Sequence, residues 1–262
     1  MWTRAELKEK GRSRFTANYW KCVLAALLLS IVAGGSSGSA GGGYSGGGSS
    51  RESFKEVFNG NGSNSNGGFN FDISPEVTAA LSALAVGVVV IVLIALVIGI
   101  ALDILVFNPL EVSCKNFFVE NLEDNANLSA LSVGFSKNYK NVVKVMFFRD
   151  LFLTLWTLLC IIPGIIKSYE YRMIPYLLAE NPDMAYEDAF AVSKKMMNGN
   201  KWDAFVLDLS FIGWGLLSAL TCGILGIFYV NPYIYQTDAA LYDALAVENG
   251  IDPDYSGYVE VE

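Results

Sequence analysis

The chain has 262 residues, 53% of them apolar and 17% charged, with a mean hydropathy of +0.38; a soluble chain typically carries about 25% charged residues, so most soluble readings are excluded. Histidine is absent, which removes imidazole triads, imidazole metal ligands and histidine pH switches. Eighteen Lys and Arg face 26 Asp and Glu, a formal charge of −8, which argues against a nucleic-acid partner.

Residues 1–21 hold Arg4, Lys8, Lys10, Arg12, Arg14 and Lys21 against Glu6 and Glu9, with Trp2, Leu7, Phe15, Tyr19 and Trp20 interleaved. The apolar stretch Cys22–Ala33 follows. Basic residues before a short apolar run resemble a secretion signal, but the long amphipathic lead favours retention as a first membrane helix over roughly Tyr19–Ala33, with Tyr19 and Trp20 at headgroup level. The basic segment suits anionic lipid better than nucleic acid.

Residues 34–76 form a low-complexity insert, GGSSGSAGGGYSGGGSS at 34–50 and NGNGSNSNGG at 59–68. Glycine keeps such a segment flexible, and nothing in it can bury apolar area. Arg51–Phe58 between them suits one or two amphipathic turns. The insert reads as a tolerated loop expansion or as an exposed tether.

Val77–Leu102 contains 26 residues without a charge, enough for a bilayer of about 30 Å. A second helix over Val77–Phe107 is predicted, ended by Asn108–Pro109 because proline disfavours helical geometry before it. Apolar residues then recur at helical spacing over 110–139 (Val112, Phe117, Phe118, Leu122, Leu128, Leu131, Phe135) and again over 180–200 (Met184, Phe190, Val192, Met196). These predict amphipathic helices lying on the membrane face; packing against the bundle explains them equally.

Helix three is predicted over Val143–Ile162, with a turn at Pro163–Gly164. Helix four follows over Ile165–Ala179, helix five over Trp202–Leu220, a turn at Thr221–Cys222–Gly223, and helix six over Ile224–Val247 with Asn231–Pro232 inside it. The fold class is therefore all-α: a single polytopic membrane domain over 1–262, six helices as three hairpins, and a short acidic tail at 248–262. The uncharged cores of helices three to six are short, so four or five spans with a re-entrant or interfacial hairpin is the alternative.

Two short patterns repeat. Glu–Asn closes an apolar segment at 120–121, 180–181 and 248–249, and an Asn with an aromatic opens the next hairpin at Asn18–Tyr19, Asn138–Tyr139 and Asn200–Lys201–Trp202. Basic residues crowd 1–21, 108–144 and 180–201, whereas 34–76 holds only Arg51 and Lys55. By the positive-inside rule both termini face the cytoplasm and the glycine-rich loop faces out. Cys22, Cys114, Cys160 and Cys222 are far apart with no metal spacing, and a disulfide scaffold is not expected; for Cys22, Cys160 and Cys222, in apolar surroundings, a small buried thiol is the ordinary reading.

The stretch from Pro163 to Leu245, with PGIIKSYEYRMIPYLLAENPDM, SKKMMNGNKWDAF, GILGIFYVNPY and TDAALYDAL, resembles a family of bacterial integral membrane proteins, the domain-of-unknown-function family nine-seven-five. The resemblance reaches weakly to the opening over Ala5–Trp20; the Gly/Ser/Asn insert departs from it. It implies a multi-helix protein of the bacterial cytoplasmic membrane, and it carries over no catalytic residues.

Charges inside the predicted helices are the candidate functional residues: Arg149 and Asp150, Lys167, Glu170 and Arg172, Asp208, and Asp238 and Asp243. An isolated charge in hydrocarbon costs roughly 2.5–3.5 kcal/mol even on the mildest scale, so these groups should face each other, water or headgroups. Glu170 is expected against a cation, with Lys167, Arg172 or Arg149 as candidates. A structural network, an ion or solute path, and interfacial placement are the three readings. Asn231–Pro232 and Pro175 suit either a packing kink or a broken-helix site. No hydrolase, P-loop, zinc or dinucleotide motif stands in a workable context, so an enzyme is not expected and no cofactor is implied. The expected surroundings are membrane lipids and a membrane-protein partner. A non-catalytic scaffold or regulator is favoured over a transporter-like or channel-like protein.

Overall fold

A computed structural model describes residues 2–35, 75–135 and 138–251, and all regular structure among them is helical. The predicted turns at 51–58 and nearly all of the low-complexity insert and the acidic tail lie outside the described residues. The chain divides into two compact units, residues 1–43 with 101–262, and residues 44–100.

In the second unit the described structure is helix α3 (Pro75–Leu102), 28 residues long. Every side chain from Val86 to Ile100 is exposed. A helix apolar on all sides has no polar face to give to water, and its surroundings must be apolar.

The first unit begins with α1 (Arg4–Ala17). A capping box starts it: the Thr3 hydroxyl accepts from the Glu6 amide, and the Glu6 carboxylate accepts from the Thr3 amide. At Asn18 the chain bends by 108° into α2 (Tyr19–Gly35). The bend is held by amides. Asn18 Nδ2 donates to Asn121 Oδ1 at 2.9 Å, Asn121 Nδ2 donates to Gln236 Oε1 at 2.9 Å, and Gln236 Nε2 donates to the Phe118 carbonyl at 2.9 Å. Gly11 lets α1 lie directly on the last helix, since a Cβ there would stand 3.0 Å from the Thr237 backbone.

Asn108–Pro109 does not end a helix. Residues Asp103–Phe107 form a π turn that leads into α4 (Asn108–Glu123). The same device recurs late in the chain, where a π turn over Gly226–Val230 leads into α11 (Asn231–Glu248) through Asn231–Pro232. Proline lacks an amide hydrogen and its ring collides with the carbonyl four residues back. Widening the turn lets the Asn108 amide reach the Asp103 carbonyl, and the Asn231 amide the Gly226 carbonyl, five residues away. The carbonyls that proline cannot serve belong to Leu105 and Phe228. Each is taken by a tyrosine hydroxyl: Tyr139 donates to Leu105, and Tyr19 donates to Phe228 at 3.0 Å. These are the tyrosines of the Asn–Tyr pairs that open α5 (Tyr139–Leu159) and α2.

Between α4 and α5 lies a 3₁₀ segment, Leu128–Phe135. After α5 the chain turns at Cys160 rather than at Pro163–Gly164, which occupy the first turn of α6 (Ile161–Glu170). There the missing proline amide falls among those that have no helical partner. The predicted helix four is two pieces, α6 and α7 (Ile174–Glu180), with Pro175 in the first turn of α7 rather than in a kink. Helix α8 spans Tyr186–Met196. The predicted helix five is likewise two, α9 (Lys201–Leu209) and α10 (Ile212–Leu220), separated at Ser210–Phe211. The predicted turn at Thr221–Gly223 is present, with Cys222 at φ 53° and Gly223 at φ 84°.

The amphipathic segments form the core. Val112, Phe117, Phe118 and Leu122 of α4 and Val192 and Met196 of α8 are buried with Phe15, Met173, Tyr176, Leu207 and Tyr242. Within the first unit the most exposed apolar side chains stand at two hairpin ends, with Leu158 86% and Leu220 81% exposed. Among the described residues, two helical stretches suffice by length and composition to cross a membrane, Val86–Glu123 and Lys201–Leu220, and three if the bent pair α1–α2 counts as one. That is fewer than six spanning helices: the break at Tyr171–Met173 and the charges within α5 shorten the other candidates.

Tyr19→Phe and Tyr139→Phe each remove one hydroxyl and leave a carbonyl in apolar surroundings. Each should lower stability in lipid nanodiscs by about 1–3 kcal/mol, read by thermal unfolding. Trp20→Phe, beside Tyr19, should have little effect. Unchanged stability in both tyrosine variants would show that the proline-freed carbonyls need no partner.

Candidate functional site

Nine charged side chains of the first unit form three small clusters among α4, α5, α6, α9 and α11. In the first, Arg149 of α5 makes a bidentate pair with Glu111 of α4, at 3.2 and 2.9 Å, and its Nε donates to Asp150 at 2.9 Å. Asn108 then donates to the other Asp150 oxygen at 2.7 Å, tying the Asn–Pro turn to the cluster.

In the second, Arg172, between α6 and α7, makes a bidentate pair with Asp208 of α9 at 2.8 and 2.9 Å and reaches Asp238 of α11 at 2.7 Å. Tyr169 donates to Asp208 at 2.8 Å. In the third, Glu170 receives Lys167 on one oxygen and Lys201 on the other. The Glu170 residue is 5% exposed, and its backbone carbonyl accepts from Ser193 at 2.6 Å.

The charges sum simply. Each arginine cluster holds two carboxylates and one guanidinium, the glutamate cluster one carboxylate and two ammonium groups. Lys115 of α4 completes the balance. Its ammonium lies 3.2 Å from the Tyr176 hydroxyl and over the rings of Tyr176 and Tyr235, at 4.9 and 5.2 Å. Five cations thus match five carboxylates among the described residues. Planar guanidinium groups sit where one cation must satisfy two acids, because the fork can present parallel N–H bonds to one carboxylate and a further bond to another.

Seven of the eight residues singled out in the sequence meet here. Asp243 does not: it pairs with Lys10 of α1 at 2.6 Å on the exposed side of α11. Glu170 meets Lys167 as expected, while Arg149 and Arg172 serve other acids. Sequence reasoning missed Glu111, Lys115 and Lys201. Glu111 and Lys115 carried one signal, an acid and a base four residues apart on the helix that follows Asn108–Pro109. Lys201 lay among linker lysines that resemble an ordinary solvated face.

Cys22 is buried, as expected, and Cys114 is buried as well, but Cys160 and Cys222 are exposed at the two hairpin ends, and all four are free. A turn leaves no packed neighbour to cover a side chain at its outer edge, so the apolar context of Cys160 and Cys222 does not bury them.

A separate cleft of about 330 Å³ opens between α4, α7 and α11, lined by Glu120, Glu123, Glu180, Tyr242 and Asp243 among others. Tyr242 donates to Glu180 at 2.5 Å. Burial pushes the Glu180 carboxyl above its ordinary range, and the tyrosine bond opposes this only in part. The folded chain therefore holds this proton more tightly than the unfolded chain. Its contribution to stability falls as pH rises from the ordinary glutamate value through the raised one, and stays low above it. Glu180→Gln should thus raise the unfolding temperature at neutral pH, and the gain should vanish below the ordinary glutamate range. A variant less stable than the parent at neutral pH would contradict this.

No curated protein and no solved structure matches the chain. A family model does match, over residues 80–249, which include α4 to α11 and every charged cluster described above. The chain belongs to that family, described as protein of unknown function DUF975.

Proposed function

We propose that the protein is a non-catalytic scaffold or regulator of the bacterial cytoplasmic membrane, multi-pass, with both termini on the cytoplasmic side. The observation that carries this reading is the closed balance of the charged clusters: each carboxylate in them is held by a cation of the chain. An ion or solute path needs polar groups that exchange partners with the solute. Here the arginine forks and the two-lysine grip on Glu170 join helices instead.

The groups that a reaction would recruit are also spent internally. Ser193 donates to the Glu170 carbonyl and Ser113 to the Pro109 carbonyl. The exposed apolar side chains of α3 and of the hairpin ends support lipid as the surroundings. The acidic composition supports a protein partner over a nucleic acid on the polar side.

Glu170→Gln separates a structural cluster from a transport site. Reconstituted in proteoliposomes, the variant should be less stable by about 1–2 kcal/mol and unfold at lower temperature, because two partly exposed lysines lose a charged partner. Parent and variant should show the same background proton leak. A variant that folds as stably as the parent but loses a proton- or ion-linked flux would establish a transporter-like protein instead.

A further inference from the structure

We infer that the two C-terminal hairpins, α5–α6 and α9–α10–α11, are re-entrant: both enter the membrane from the side of the charged clusters, end among the acyl chains and return without crossing. This rests on the membrane reading above and adds the depth and topology of these segments.

The charges sit at the bases of the two hairpins. The bases of both hairpins are tied to each other, since Arg172 at the foot of the first binds Asp208 and Asp238 on the two arms of the second. Arg149 and Asp150 stand on the outgoing arm of the first hairpin and Lys167 and Glu170 on its return. A layer carrying five cations and five carboxylates belongs at the headgroups or on the water side of them.

Length then sets the depth. Cys160 lies ten residues beyond Asp150, which is about 15 Å of helix, and seven residues before Lys167, about 10 Å. Cys222 lies fourteen residues beyond Asp208, about 21 Å, less the break at Ser210–Phe211. A hydrocarbon layer is about 30 Å thick, so both ends stop inside it. The stretch Lys201–Leu220 passes a test of length and composition as a span. Its first turns, however, hold Asp203 and Asp208, and only Leu209–Leu220 is free of charge.

The hairpin ends are built for apolar surroundings. Leu158, Leu159, Ile161 and Ile162 ring the first, with no polar turn residue, and Leu220 and Ile224 flank the second. The second turn satisfies its own polar groups. Thr221 Oγ1 donates to the Ser218 carbonyl at 3.0 Å and accepts from the Leu225 amide at 3.2 Å, and the Gly223 amide donates to the Ser218 carbonyl at 2.9 Å. An apolar layer requires turn groups to be closed in this way, because no water is there to take them.

The arms also touch close to their ends. A Cβ on Gly164 would stand 2.9 Å from Thr157 Cα, and one on Gly226 would stand 2.4 Å from Ser218 Oγ. Each hairpin thus sets a glycine of one arm against a hydroxyl residue of the other, the small-residue contact by which helices associate in lipid.

The exposed cysteines lie at the two ends, while Cys22 and Cys114 are buried, so the native thiols report depth. Cys222→Gly leaves Cys160 as the accessible thiol, and Cys160→Ala leaves Cys222; glycine suits the positive φ at 222. In proteoliposomes neither thiol should react with a membrane-impermeant maleimide added on either side, and both should react after the bilayer is dissolved in detergent. A thiol-linked bimane at each position should be quenched most by lipids brominated deep in the acyl chain. Labelling of intact vesicles from the face opposite the N-terminus would show hairpins that cross, overturning the inference while the membrane reading stands. Rapid labelling without detergent together with no quenching by any brominated lipid would place both ends in water and remove both.

Discussion

A charge taken out of water must meet an opposite charge, and in this chain that requirement organises the helices. Arg149 binds acids from α4 and α5; Arg172 binds acids from α9 and α11; Glu170 of α6 binds lysines on α6 and α9. Every helix that enters the charged clusters is therefore joined to a neighbour by a polar bond whose loss would leave a group unpaired. Lys115 balances the charge through two tyrosine rings and a tyrosine hydroxyl rather than an acid. Apolar packing surrounds the clusters, but dispersion and burial tolerate several arrangements, whereas an arginine fork between two carboxylates tolerates few.

Backbone satisfaction follows the same logic. Two prolines would each leave a carbonyl without its helical partner. The chain answers both with a π turn before an Asn–Pro pair and a tyrosine hydroxyl from another helix. Where a helix faces lipid no water can replace that hydroxyl, so the Asn–Tyr and Asn–Pro pairs work as two halves of one device. The hairpin ends obey the same constraint: their polar turn groups close on themselves, and their apolar side chains are left bare.

Part of this was legible in the residues. The uncharged run of α3 needs only its length, and the apolar spacing of α4 and α8 announced amphipathic helices, although not whether they covered a membrane or built a core. Phe117, Phe118 and Met196 settle that, since they are fully buried. Glu170 could be assigned a cation because an acid three residues from Lys167 shares its face. Its second lysine could not, because Lys201 arrives from 31 residues away and nothing in its neighbours distinguishes it from a solvated linker. Glu111 escaped for a related reason: it stood in a segment that looked interfacial, where an acid calls for no partner. The Asn–Tyr repeats were visible, but their purpose was not, because each tyrosine serves a proline thirty or more residues away. The number of spans was least legible, since a 16-residue uncharged hairpin such as Leu151–Ile166 can be drawn as two short spans or as one re-entrant loop.

The most direct test of the central claim is the Arg172 cluster. In lipid nanodiscs, Arg172→Met alone should destabilise the protein by about 3–5 kcal/mol, because two carboxylates are left facing each other without a cation. Arg172→Met combined with Asp208→Asn and Asp238→Asn should recover most of that loss, since the repelling charges go with it. Thermal unfolding of the single and triple variants reads both. A single variant as stable as the parent would contradict the account, because the cluster would then hold nothing together.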